Sequence, residues 1–167
     1  MDQLWAPWRL AYVAGPKPAP AADECFLCQG LAATDDRTHL IAARTPLSVI
    51  VLNRYPYNNG HLLIAPRAHK SALRELTSME ILDSQQAITR CVEVLSQTMR
   101  PDGFNIGLNL GKAAGAGLPG HLHWHVVPRW NGDTNFMPVL SDVRVIVQSL
   151  EALYQLITPH LAEQDDG

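Results

Sequence analysis

The chain has 167 residues, of which 47% are apolar and 17% charged, with a formal net charge of -3. Those figures describe one ordinary globular domain with a small appendage and exclude a disordered chain. The slightly acidic balance leaves no electrostatic footprint for DNA or an anionic membrane surface, although a few amides and imidazoles suffice to hold a small nucleotide.

Residues 1–24 are rich in Pro and Ala (GPKPAPAADE) and read as an irregular arm, with Trp5 and Trp8 placed to pin it to the body or to cap a partner subunit. The N-terminal stretch lacks a basic region followed by a long apolar run, and no segment approaches the length of a membrane span, so a cytoplasmic location is expected. Cys25 and Cys28 follow as a C-x-x-C pair in ECFLC. In a cytoplasmic chain with three cysteines such a pair points to metal or redox chemistry rather than to a disulfide framework.

Three apolar runs come next, HLIAAR (39–44), SVIVLN (48–53) and HLLIAP (61–66), and read as strands; the link NRYPYNNG between the last two is dense in turn formers. At Thr77 the period changes. Thr77 and Glu80 make a T-x-x-E capping box, and Ile81, Ile88, Val92, Leu95 and Met99 recur at helical spacing up to Pro101. Cys91 falls on the same side and is expected to be a buried small hydrophobe. FNIGLNLG (104–111) reads as a strand, KAAGAGLPG as a flexible loop, and the amphipathic tail from Ser141 to Leu161 as a helix. The elements predict an α+β fold, an antiparallel sheet with a helix packed on it. The expected divisions are an arm at 1–24, the main domain at 25–138 and a helical tail at 139–167.

The segment GHLHWHVVPRW (120–130) carries the chemistry. Read as a strand ending at Pro128, it lines His121, His123 and His125 along one face and packs Leu122, Trp124 and Val126 on the other. Three alternating imidazoles fill a core poorly, because every ring nitrogen needs a partner, but they suit proton transfer and nucleophilic attack near neutral pH. The glycine-rich loop immediately before them allows close backbone approach to a ligand and suits an anion. A row of nucleophile and acid candidates beside an anion cradle points to phosphate chemistry.

HLHWHVV resembles the H-φ-H-φ-H-φ-φ signature of the histidine-triad (HIT) superfamily of nucleotide hydrolases and transferases. NRYPYNNGHLLIAPRAHK is similar to that family's upstream strand–turn–strand, and NLGKAAGAG to its Asn-x-Gly…Ala-Gly segment, so the likeness covers about residues 25–130. The flanks WAPWR and PRWNGDTNFMP look most like the bacterial branch containing diadenosine tetraphosphate phosphorylases.

The resemblance implies that His123 attacks the α-phosphorus of a dinucleoside polyphosphate and that His125 carries the proton of the departing or entering oxygen. It places His61 next to the triad, serving the chemistry or supporting it by a structural hydrogen bond. It gives Asn53 to the ribose hydroxyls, Asn109 to the phosphate side, and the amides of Gly115, Gly117 and Gly120 to the phosphoryl cradle. A structural zinc held by Cys25, Cys28, His69 and His121 is implied too, with His39 as a competing ligand, and so is a homodimer paired through helix and sheet. One departure matters. Hydrolytic branches carry Gly-Gln-Ser-Val or Gly-Gln-Thr-Val before the triad, whereas this chain has Gly-Leu-Pro-Gly, which favours transfer to phosphate over hydrolysis. Two other readings compete: a metallohydrolase with catalytic zinc on the triad, and a non-enzymatic nucleotide-binding or interaction protein.

Overall fold

A computed structural model describes residues 25–118, 120–133 and 146–162. Five strands form an antiparallel sheet in the order β1-β2-β3-β5-β4. They are β1 (Ile41–Arg44), β2 (Ser48–Leu52), β3 (Leu62–Pro66), β4 (Gly103–Leu108) and β5 (Trp124–Arg129). The helices are α1 (Phe26–Ala32), α2 (Ser78–Met99) and α3 (Leu150–Ala162). Among the described residues, no helix is long and apolar enough to cross a membrane. The arm, with Trp5 and Trp8, lies outside the described residues, as do 134–145.

The two-residue period of the strands divides the interior in two. Ile50, Leu52, Leu62, Ile64, Trp124 and Val126 face α2 and α3 and form the larger core with Ile88, Leu95 and Ile157. Val49, Val51, Leu63 and Ala65 face the other way and pack with Leu27 of α1 and Leu118 of the glycine loop. In the ladder His125 lies opposite Leu63 and Gly107. The histidines therefore belong to the second face, away from the long helix, as their alternation with Leu122, Trp124 and Val126 predicts.

Several boundaries differ from the sequence reading for identifiable reasons. β1 begins at Ile41, not at residue 39, because Leu40 takes a left-handed φ of 58° and interrupts the strand. β4 stops at Leu108, which leaves Asn109 beyond its end, and Lys112–Ala114 adds a short 3-10 turn to the loop. β5 begins only at Trp124, so His121 and His123 lie on the approach to the strand. It also continues through Pro128, which sits opposite Phe104 of β4 but past the last rung to β3, Leu62 opposite Val126. There the missing N–H costs no ladder bond.

Helix α2 starts where the capping box predicts. Thr77 Oγ1 accepts the Glu80 amide at 3.2 Å and the Glu80 carboxylate accepts the Thr77 amide at 2.7 Å. Cys91 is fully buried, but Ile81 is 44% exposed and not on the core stripe. The inward position of that first turn belongs to Glu80, held by Lys70 Nζ at 2.6 Å. Of the expected tail helix, 141–145 lie outside the described residues, 146–149 are not helical, and the helix begins at Leu150, where Ser149 Oγ accepts the Ala152 amide at 3.1 Å and caps it. Leu153, Ile157 and Leu161 of α3 are buried in the larger core, so the tail packs as part of it.

Candidate active site and metal centre

Helix α1 is absent from the sequence reading, yet it explains the spacing of the two cysteines. Cys25 is its N-cap and Cys28 lies in its first turn, so an i, i+3 relation brings both sulfurs to one side. Cys25 Sγ lies 3.2 Å from His121 Nδ1, and Cys28 Sγ lies 3.6 Å from His121 Nδ1 and 3.1 Å from His69 Nδ1. The ligand atoms of Cys25, Cys28, His69 and His121 all fall within 4.8 Å of one another. A tetrahedral zinc site with two sulfurs and two nitrogens has ligand–ligand edges of roughly 3.3–3.8 Å, so this donor set fits zinc.

The protonation chemistry fits as well. His121 Nε2–H donates to the Pro66 carbonyl at 2.8 Å, which leaves the Nδ1 lone pair facing the thiols, the outer-shell arrangement that orients a metal-ligating imidazole. Burial, and after it the neighbouring Cys25, push the Cys28 thiol up to about 11. A divalent cation is the group that would make thiolates of this pair at neutral pH. His39 stands apart from the four. It packs on Gly30, where an added Cβ would come within 3.2 Å of its own Cβ.

His123 sits two residues beyond His121 and outside the four-residue group. The residue is 7% exposed. His123 Nδ1–H donates to the main-chain carbonyl of His121 at 2.8 Å, so the lone pair is on Nε2. Burial holds the ring below the ordinary histidine range, in its neutral form at pH 7. A neutral imidazole with a fixed tautomer and a bare second nitrogen is the state a histidine nucleophile requires.

His125 stands beside it, ring centroids 5.0 Å apart. Burial, and then the charge His123 would carry, push His125 down to about 4. His125 Nδ1 meets His61 Nε2 at 2.9 Å, and its Nε2 lies 3.3 Å from the Asn109 amide. Tyr57 covers the pair, its ring stacked on His125 with centroids 5.5 Å apart. Asn53 lies 3.1 Å from His61 Nδ1. Asn53, His61, His125 and Asn109 thus form one continuous chain of contacts, and Tyr57, which the sequence reading did not single out, joins them. Its signal was its place in the turn-forming link only four residues before His61.

The glycines divide. Gly115 has φ +87 and its amide donates to the Lys112 carbonyl at 3.0 Å, so that amide closes the turn rather than facing outward. An added Cβ at Gly117 would meet nothing within 4 Å, whereas at Gly120 it would lie 3.7 Å from His69 Nε2. The end of the loop therefore rests against His69 of the four-residue group.

Asn53 also lines an open cleft of about 220 Å³ on the sheet's second face. Val51 and Leu63 give it apolar walls, with Phe26 and His39 also on its lining. An apolar slot with a few placed polar groups is the usual form of a small-molecule site.

Comparison with known proteins agrees with this geometry. The AP-4-A phosphorylase of Mycobacterium tuberculosis is 38% identical over 168 residues, covering 98% of this chain and 86% of that protein. The asymmetrical bis(5'-nucleosyl)-tetraphosphatase of Schizosaccharomyces pombe is 32% identical over 90 residues, 54% of this chain and 49% of that one. Among solved structures, a Zn-bound histidine triad family protein from Mycobacterium smegmatis superposes with a TM-score of 0.68 at 26% identity, covering 87% of this chain and 98% of that one. The HIT domain model matches residues 36–132. With the triad, its upstream histidine and the sheet order all in place, the chain belongs to the HIT family.

Proposed function

We propose that this protein cleaves dinucleoside polyphosphates by nucleotidyl transfer through His123, with diadenosine tetraphosphate as substrate and inorganic phosphate as acceptor. The observation that carries the reading is the single hydrogen bond from His123 Nδ1 to the His121 carbonyl, 2.8 Å, which leaves Nε2 bare in a neutral, buried ring. The name of the M. tuberculosis relative supports the substrate and the acceptor.

In the first step His123 Nε2 bonds to the α-phosphorus as the bond to the bridging oxygen breaks, giving an adenylyl-histidine and ATP. His125, turned by His61, places a proton at the departing oxygen. A phosphate oxygen then attacks the same phosphorus, the P–N bond breaks, and ADP leaves with His123 restored. The covalent intermediate divides one difficult displacement into two, and positioned donors carry the charge that spreads over the phosphoryl oxygens. Asn109 and the amides of Gly117 and Gly120 are assigned to those oxygens, Gly115 to the turn that presents them, and the cleft beside Asn53 to one nucleoside. Cys25, Cys28, His69 and His121 would hold a zinc ion, which would supply a structural anchor for the approach to β5, and His123, outside that group, would stay free for the chemistry.

The same reading assigns a homodimer joined through the sheet edge at β4, where Ile106 is 49% exposed, and a cytoplasmic location. The experiment is incubation with diadenosine tetraphosphate in the presence and absence of phosphate. Equal ADP and ATP, formed only with phosphate, is the expected result. AMP and ATP, or two ADP, formed without phosphate would replace the phosphorylase by a hydrolase.

A further inference from the structure

The link between β2 and β3 is fastened to the site by its main chain. Asn53 Oδ1 accepts the Tyr55 N–H at 2.9 Å, and the Tyr57 N–H donates to His61 Nδ1 at 3.0 Å. The next residue, Asn58, donates through its side-chain amide to the Pro128 carbonyl at 3.1 Å and to Asp133 Oδ2 at 2.8 Å, which ties the link to the end of β5. Between these anchors the Tyr57 ring is held over the site. Its centroid lies 4.6 Å from that of His61, tilted by 43°, and 5.5 Å from that of His125, stacked at 21°. Both distances fall in the range of aromatic contact. The two imidazoles beneath it meet at 2.9 Å, His61 Nε2 to His125 Nδ1. One phenol ring therefore covers both members of the pair. Tyr57 is 48% exposed and His61 only 1%, so the tyrosine is the outer layer over a buried contact.

We propose that Tyr57 is a positioning residue, whose ring holds the His125 imidazole in its orientation towards His61 and keeps water from the contact between them. The inference rests on the nucleotidyl-transfer reading for the use made of His125, whose orientation decides whether a proton reaches the departing oxygen. An imidazole fixed at one nitrogen can still tilt about its side-chain torsions, and a stacked ring restricts that tilt. Water beside the pair would compete for the shared hydrogen bond and favour the charged form of either ring. Burial is the main cause that holds His125 down at about 4, and Tyr57 is one of the side chains that bury it. His125 faces the titratable rings of His61, His123 and Tyr57, and its ladder partners Leu63 and Gly107 carry no charge. The face of the tyrosine ring, rather than its hydroxyl, makes the contact, so the ring face is what a substitution must preserve.

The test compares wild type with Tyr57→Phe, Tyr57→Leu and Tyr57→Ala, each read in two ways. The titration midpoint of His125 is followed by NMR in the free protein, and kcat and KM are measured with diadenosine tetraphosphate at neutral pH. Tyr57→Ala is expected to raise the midpoint from about 4 towards 6.5, as water replaces the ring. Its kcat should fall about tenfold, with KM changed by less than about threefold. Tyr57→Phe should restore both properties. Tyr57→Leu, which covers without stacking, should keep the midpoint low and recover only part of kcat. An unmoved midpoint in Tyr57→Ala overturns the proposal, and so does a Tyr57→Phe that falls as far as Tyr57→Ala. A loss confined to KM overturns it too, as the mark of a ring that serves substrate alone. If Tyr57→Ala does not fold, Tyr57→Leu against Tyr57→Phe decides, and equal kcat in the two overturns the stack. If the protein cleaves no dinucleotide, the titrations still decide whether Tyr57 shields His125, so the two readings fail separately.

Discussion

His123 donates from Nδ1 to the main-chain carbonyl of His121, 2.8 Å away, and His121 is itself one of the four residues grouped so that they could hold a metal ion. The proposed nucleophile is therefore oriented by the backbone of a proposed metal ligand, two residues upstream. Replacing His123 by Asn should retain nucleotide binding and lower turnover by at least about 1000-fold, since no covalent step remains. Mass spectrometry of the quenched wild-type reaction should show an adenylylated chain that the variant lacks. A variant that turned over at the wild-type rate would remove His123 from the mechanism.

Loss of the metal should act at a distance on the same ring. Cys28 Sγ approaches both His69 and His121, at 3.1 and 3.6 Å, so Cys28→Ser breaks the set at its centre. Elemental analysis is expected to find one zinc per wild-type chain and none in the variant. The variant's melting temperature should drop, because a structural zinc contributes to folding. Its kcat should fall more than its KM rises, as the His121 carbonyl that orients His123 loses its anchor. Zinc-free protein of unchanged melting temperature would sink the structural role.

What the sequence discloses, and what it hides, follows from the range of the interactions. The α2 start at Thr77 and the facing of His125 against Trp124 and Val126 were legible because caps and strand alternation are local. The metal set was legible only through family likeness, since His69 and His121 lie far from Cys25 in the chain and no spacing joins them. Helix α1 was missed because its seven residues, FLCQGLA, are too few for a helical period to show. The interruption at Leu40 was hidden because a left-handed leucine follows from the way residues 36–40 fold back, with the Leu40 amide donating to Arg37. Exposure of Ile81 was equally hidden, for it depends on Lys70 drawing Glu80 inward from another segment. The contact of Asn53 with His61 depends on hairpin register: the Asn53 main-chain N–H donates to the His61 carbonyl at 3.0 Å, and that places the two side chains together.

Acid should destabilise the protein through His125. Its folded value is pushed down to about 4 from 6.5, chiefly by burial, so the unfolded chain takes up a proton before the folded one does. A depressed histidine contributes fully above its unfolded value, and the contribution is lost as pH falls from 6.5 towards 4. The slope in that window is at most about 1.4 kcal/mol per pH unit for this one group. Chemical denaturation of wild type and His125→Gln across pH 4 to 7 should show stabilities that converge or cross as pH falls. Parallel curves would mean that His125 titrates alike in both states.

Gly60 provides the last test, because it links backbone conformation to the site without touching any reacting atom. It sits at φ +77 directly before His61, in a region costly for any residue with a Cβ. An added Cβ would also come within 3.0 Å of Met99 Sδ and of Pro128 Cγ. The methionine end can swing aside, but the proline ring belongs to β5, the strand that carries His125, and cannot yield without moving that strand. Gly60→Ala should therefore cost about 2 kcal/mol, the left-handed penalty plus a partly relieved contact. For a chain of this size that is a fall of about 4–8 °C in melting temperature. The strain should also separate His61 from His125, now 2.9 Å apart, and lower kcat in the fraction that remains folded. Thermal melts and kinetics on the same preparation check both halves, and an alanine variant with the wild-type melting temperature would show that the turn before His61 accepts a side chain.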